Sequence, residues 1–166
     1  MPILKAELSA ESLAALIRDV RAYKQTVRAA PKKIIDSLVT HGVAQIEANI
    51  HDIQDKDGND LATAGHTAFG ENAAVFLQGE QAAFLEYGTG EVGAASPHPQ
   101  ASAAGWDYAS GETIRTTKDG RRMWRYRQKG TGRFRTTFGI PAGRVVLKTA
   151  ATLRDATARA AKETLQ

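Results

Sequence analysis

Cysteine is absent from all 166 residues. That single absence excludes disulfides, thiolate zinc sites and cysteine nucleophiles together. Long apolar runs are missing as well, and none approaches the ~20 residues that cross a bilayer. The opening MPILKAELSAESL has no charged segment followed by an apolar one, so no signal peptide is expected. Together these absences lead to the expectation of a soluble protein in the cytoplasm of the cell that makes it, with no membrane partner. Residues 61–100 contain no Lys or Arg at all, only the acids Glu71, Glu80, Glu86 and Glu91. Basic charge is concentrated instead in residues 101–166, which carry 14 basic against 5 acidic side chains, while residues 1–60 are near balance with 8 and 9. Such segregation speaks to partners rather than to fold.

What is present suits a single domain over 1–166, long enough to bury an ordinary core. The N-terminal part, 9–53, reads as helical. Ser9 is a candidate N-cap with Glu11 in the first turn, where the helix dipole favours an acid. Leu13, Leu16, Ile17, Val20 and Val27 repeat at the 3–4 spacing of a buried stripe, continued by Ile34, Ile35, Leu38, Val39, Val43, Ile46 and Ile50. Pro31 allows either two helices broken near Ala30 or one kinked helix. A turn cluster, DKDGND, ends the segment at Asp55–Asp60.

The next part, 63–111, reads as a hairpin and a glycine loop. HTAF and AAVFLQ flank the short connection Gly70-Glu71-Asn72. EQAAFLEY does not reveal its period, and Gly88 to Gly111 has the composition of a long loop. Over 112–139 the run TIRTTKDGRRMWRYR predicts a second hairpin. A three-residue connection Lys118-Asp119-Gly120, with Gly120 left-handed, pairs Ile114 with Trp124 and puts Tyr126 on their face. In RFRTTF, Phe134, Thr136 and Phe138 then share a face, and Arg133 and Arg135 point the other way. Pro141 opens a helix over 141–165 whose inward side is Val146, Ala150, Leu153 and Ala160. Helices, then strands, then a helix predict an α+β fold: a mainly antiparallel sheet packed against an N-terminal helical region and a C-terminal helix.

FLEYGTGEVGAASPHP contains Gly88-x-Gly90-x-x-Gly93, the letters of a dinucleotide-binding turn. That turn requires a strand before it and a helix after it, whose amides hold the pyrophosphate. Pro97 and Pro99 argue against a following helix, no acid stands ~20 residues on, and no βαβ unit is visible. No cofactor is expected, and Gly88 and Gly90 read as structural turn residues together with Gly120 and Pro141. The four histidines, His41, His51, His66 and His98, show no HExxH or His-x-His pairing. Glu80 and Glu86 have nothing around them to make a glycosidase pair, and Ser96 and Ser102 lack a nucleophile elbow. No catalytic or metal-binding residue is expected.

The segment AxFLEYGTG, the Pro97-His98-Pro99 loop, the Trp106 segment and GIPA before a final helix together resemble a phage family: the tail-completion or head–tail joining (neck) proteins of long-tailed bacteriophages. Glu86, Tyr87, Gly88, Thr89 and Gly90 match its acid–aromatic–Gly-Thr-Gly motif, and Pro141, Ala142 and Ala150 its C-terminal helix. Relatives often carry Pro-x-x-Thr-Gly-x-Leu after the first helices, where this chain has LATAGHTAF without the proline. The resemblance implies a non-enzymatic α+β virion subunit that forms a ring, completes the tail end and joins it to the head. Its implied partners are copies of itself, the tail tube or terminator and the head connector proteins, with DNA passing through the lumen. It also implies assembly in the host bacterial cytoplasm.

Nine basic residues, Arg115, Lys118, Arg121, Arg122, Arg125, Arg127, Lys129, Arg133 and Arg135, stand against Asp119 alone in the second hairpin. Three readings fit. The acidic side of one subunit, with Glu71, Glu80, Glu86 and Glu91 and with Tyr87 beside Glu86, meets the arginines of the next. Alternatively, the arginines neutralise phosphates and Trp124 and Tyr126 stack on bases. In the plainest reading they are a solvated face.

Overall fold

A computed structural model describes residues 9–53, 62–108, 114–127 and 131–165, with the Tyr126 side chain outside that set. The expected Asp55–Asp60 turn and Lys129 also lie outside the described residues. The fold is α+β, as the order of patterns predicts. Helix α1 runs unbroken over Ala10–His51, with Pro31 inside it. Ser9 starts it as expected, its Oγ accepting the Ser12 N–H at 3.1 Å. Pro31 has no N–H, so the Val27 carbonyl loses its intrahelical partner while the helix continues on either side.

Strands β1 (Thr63–Phe69) and β2 (Asn72–Gln78) form a two-stranded sheet. The ambiguous run before the glycines is helix α2 (Ala82–Tyr87). Part of the expected long loop is a second short helix, α3 (Gly90–Ala95). The prolines do not prevent it, because it ends at Ala95, two residues before Pro97. Glycine turn and helix therefore do follow one another, but helix α2, not a strand, precedes them.

Strands β3 (Ile114–Thr116), β4 (Arg122–Arg127) and β5 (Phe134–Thr137) make an antiparallel sheet in that order. Ile114 pairs with Trp124, and Gly120 is left-handed at φ 83°, both as the three-residue connection requires. A short strand β6 (Gly139–Ile140) bridges to Thr89 and Gly90. Helix α4 spans Val145–Leu165, four residues later than Pro141 suggests. The delay is tertiary. Residues 139 and 140 are held in the bridges to Thr89 and Gly90, and the Gly143 and Arg144 amides donate to the Leu85 and Glu86 carbonyls. Arg144 itself is left-handed at φ 55°, outside helical space.

Tertiary contacts divide the chain into two compact units. One comprises residues 43–65 and 76–149 and holds the buried Ile46, Ile50, Leu85 and Val145. Buried Asn49 is satisfied there by donating to the Val145 carbonyl at 3.4 Å and to the Thr149 hydroxyl at 3.2 Å. The other comprises residues 1–42, 66–75 and 150–166, where Ala30 and Ala160 are buried and Leu153 is half-buried. The inward side of α4 is thus Val145, Thr149, Leu153 and Ala160, while Val146 and Ala150 are exposed. Adjacent valines look alike in a periodic pattern, so the expectation chose the wrong one of the pair. A second expectation also fails in α1, where Leu13, Ile17, Val20 and Val27 are exposed and not buried.

Candidate functional site

Of the residues that carry the resemblance, Glu86 to Gly90, Pro97 to Pro99, Trp106, Pro141 and Ala142 lie in the unit of residues 43–65 and 76–149, and Ala150 lies in the other. Gly88 opens the arrangement. It is left-handed at φ 78°, and a Cβ there would meet the backbone of residues 140–142 at 2.6–2.9 Å. Gly90, at φ 65°, faces the Trp124 ring and the Phe138 carbonyl so closely that no side chain fits. The Thr89 hydroxyl accepts the Ile140 N–H at 3.2 Å. The Gly-Thr-Gly turn is therefore a socket for the strand before α4.

Glu86 is 8% exposed and was expected at a subunit interface. That expectation is corrected, since its carboxylate points into its own chain. Oε2 accepts the Val146 N–H at 2.7 Å, and Oε1 accepts the Leu147 N–H at 3.2 Å. These are donors of the first turn of α4 that no helical carbonyl can satisfy. The N-cap position is held by Arg144, whose carbonyl accepts the first helical N–H, from Lys148. An arginine side chain supplies no oxygen for capping, so a carboxylate from α2 takes that role.

His98, 3% exposed, contacts the same Oε1 through Nε2 at 3.1 Å. Its Nδ1 accepts the Gln100 N–H at 3.1 Å, which places the ring proton on Nε2 as a donor to Glu86. The His98 N–H in turn donates to the Tyr108 hydroxyl at 2.9 Å. Tyr87 packs edge-on against the His98 ring, at 4.8 Å between centroids, and stacks on Trp106 at 5.2 Å. The Trp106 Nε1–H donates to the Gly88 carbonyl at 3.0 Å. Tyr87 is half-buried by these contacts. The Arg144 guanidinium donates to the Pro97 carbonyl at 3.1 Å, and its Nε is buried without an acceptor among the described residues. Glu86 and His98 form a hydrogen-bonded pair, and every bond found for them ties one part of the chain to another.

The arginine hairpin is arranged differently from its sequence pattern. Register places Arg127 opposite Phe134, Arg125 opposite Thr136 and Tyr126 opposite Arg135. Opposed residues of an antiparallel pair share a face. Phe134 and Thr136 share a face opposite Arg135 as expected, but Phe134 lies with Arg115, Arg125 and Arg127, and Arg135 lies on the Trp124 face and not away from the apolar residues. A sequence alternates faces within a strand but does not say which parity meets the neighbour. Phe134 is 61% exposed, with the Arg125 guanidinium 4.4 Å above its ring. Trp124 is half-buried against Gly90, so it is no stacking platform. Arg121 is engaged within the chain, its Nε 3.0 Å from Glu91 Oε2 and its guanidinium 3.8 Å above Phe138. Glu91 Oε1 also accepts the Arg122 N–H at 2.8 Å. That amide first, and Arg121 second, hold the Glu91 carboxyl below the ordinary glutamate range. Glu80, Arg122, Arg125, Arg127, Arg133 and Arg135 remain exposed.

His98 was visible in the sequence only as part of a Pro-His-Pro loop, and Arg144, Asn49 and Tyr108 carried no signal there. Their roles are tertiary hydrogen bonds without a spacing rule. Among the described residues no group of three or more His, Asp or Glu is placed to hold a metal ion, and no helix is long and apolar enough to cross a membrane. No protein-family model, curated protein or solved structure matches the chain.

Proposed function

We propose that this chain is a structural virion protein of a long-tailed bacteriophage that completes the tail end and joins tail to head, working as a ring of subunits. One observation supports it most. Residues that carry the resemblance from three separate stretches, Glu86 to Gly90, His98 and Pro141-Ala142, meet in one bonded arrangement. Short motifs shared by chance have no reason to converge. In this reading the Glu86–His98 pair shapes the subunit, and surfaces carry the function. The exposed Glu80 of one subunit and the exposed Arg122, Arg125, Arg127, Arg133 and Arg135 of the next meet in the ring, where complementary charge sets orientation.

The test is genetic and structural. A phage carrying a stop codon in this gene should accumulate DNA-filled heads and separate tails, with joining restored by adding the purified protein. Fully infectious particles without it would end the proposal. At the contact itself, Arg125→Glu with Arg127→Glu should abolish joining while the circular dichroism stays native.

A second reading, polyanion binding, is favoured by the exposed Phe134 set among Arg115, Arg125 and Arg127. An exposed ring amid arginines offers a base-stacking surface beside phosphate contacts. Affinity for single-stranded DNA falling steeply with salt, and lost in Phe134→Ala, would support it. No binding at low salt would dismiss it.

A further inference from the structure

The apolar stripe of α1 outruns its cover. In the unit of residues 1–42, 66–75 and 150–166, Ala30 is 4% exposed. On the N-terminal side of it Leu13, Ile17, Val20 and Val27 are 47%, 51%, 46% and 43% exposed. The helix continues without interruption to Ala10, roughly 30 Å beyond Ala30 at ~1.5 Å per residue. A helix that keeps a one-sided apolar stripe over this length, with the stripe in water, lacks a partner.

We propose that residues 13–27 of α1 pair in parallel with the same segment of a second copy of this chain. The spacing of the stripe is that of a coiled-coil seam. Leu13, Val20 and Val27 fall at one set of seven-residue positions, and Leu16 and Tyr23 at the set three residues on. Val20 and Val27 are β-branched at the first set and Leu16 is at the second, a partial match to the pattern that favours two parallel strands, with Leu13 and Tyr23 departing from it. Charge selects the same partner and the same direction. Asp19 and Lys24 flank the seam on opposite sides, five residues apart, the offset that brings one helix's flanking residue to its parallel partner's. Two Asp19–Lys24 pairs thus form per dimer. Among the described residues neither side chain has an ion pair within its own chain. In an antiparallel arrangement the same charges would not meet. Ile17 adds apolar surface beside the seam, and Ala30, already buried within the chain, ends it. This contact goes beyond the proposed function and does not depend on it, since it uses none of the arginine-hairpin residues.

The experiment uses the full chain. Light scattering and sedimentation between about 10 µM and about 500 µM suit an interface smaller than the ~800 Å² per partner of standard complexes. Wild type should show reversible dimerisation, and Val20→Asp should remain monomeric with unchanged circular dichroism. Asp19→Lys and Lys24→Asp should each weaken the dimer about five-fold or more. The double reversal should restore it, a pattern that a merely sticky surface would not give. Because the chain has no cysteine, Leu13→Cys reports direction alone. A parallel pair yields the Leu13→Cys homodimer on mild oxidation. Cross-linking only between Leu13→Cys and Val27→Cys chains would show an antiparallel pair and overturn the proposal. A wild-type monomer throughout the range, or a dimer indifferent to Val20→Asp, would also overturn it.

Discussion

Glu86 and Val146 stand sixty residues apart, and a 2.7 Å hydrogen bond from the Val146 N–H to Glu86 Oε2 joins them. That bond anchors the start of α4 to α2. A carboxylate there meets two open helix N–H groups and the positive end of the helix dipole.

Glu86→Gln keeps the shape but removes the charge, and turns one acceptor into a donor facing a donor. The expected loss is about 2 kcal/mol, from a weakened cap and one buried mismatch. Urea unfolding followed by circular dichroism measures it. A variant as stable as wild type would remove Glu86 from its capping role.

His98→Ala leaves the Gln100 N–H and the Tyr87 ring without their partner and opens a small void. The expected loss is about 2–3 kcal/mol, chiefly from lost packing of the buried ring, with a smaller part from the part-buried Gln100 N–H. Near-ultraviolet circular dichroism should change as well, because Tyr87 stacks on Trp106. An unchanged aromatic spectrum would contradict the packing described.

Gly90 and Gly120 are both left-handed, at φ 65° and 83°, but only Gly90 is crowded. Gly120→Ala, with nothing within 4 Å, should cost only the ~1 kcal/mol of an unfavourable backbone. Gly90→Ala must also displace Trp124, so a loss above about 3 kcal/mol or failure to fold is expected. Equal melting temperatures for the two variants would refute this distinction.

Glu91 titrates below the ordinary value of 4.5 because it accepts the Arg122 N–H and pairs with Arg121. A depressed carboxyl contributes stability above its unfolded value, and that contribution fades as pH falls through the folded one. The Arg122 amide resonance should therefore shift at a pH below 4.5 in nitrogen–proton spectra, and the transition should vanish in Glu91→Gln. A midpoint at or above 4.5 would remove the contact from solution.

The sequence by itself determined what is local. Unlike the continuity of α1 through Pro31, the helical character of residues 9–53 and its Ser9 cap, the Ile114–Trp124 register and the left-handed Gly120 all follow from periodicity or turn chemistry within a few residues. So does the absence of every cysteine-based chemistry. Tertiary structure alone decided the rest. It buried Glu86 at the start of α4, delayed that helix to Val145, put Phe134 beside arginines and left Leu13, Ile17, Val20 and Val27 exposed. The reason is one of range. A pattern tells which residues share a side of their own element, whereas the neighbour that covers that side is chosen by contacts across tens of residues. Those contacts leave no spacing in the chain to read.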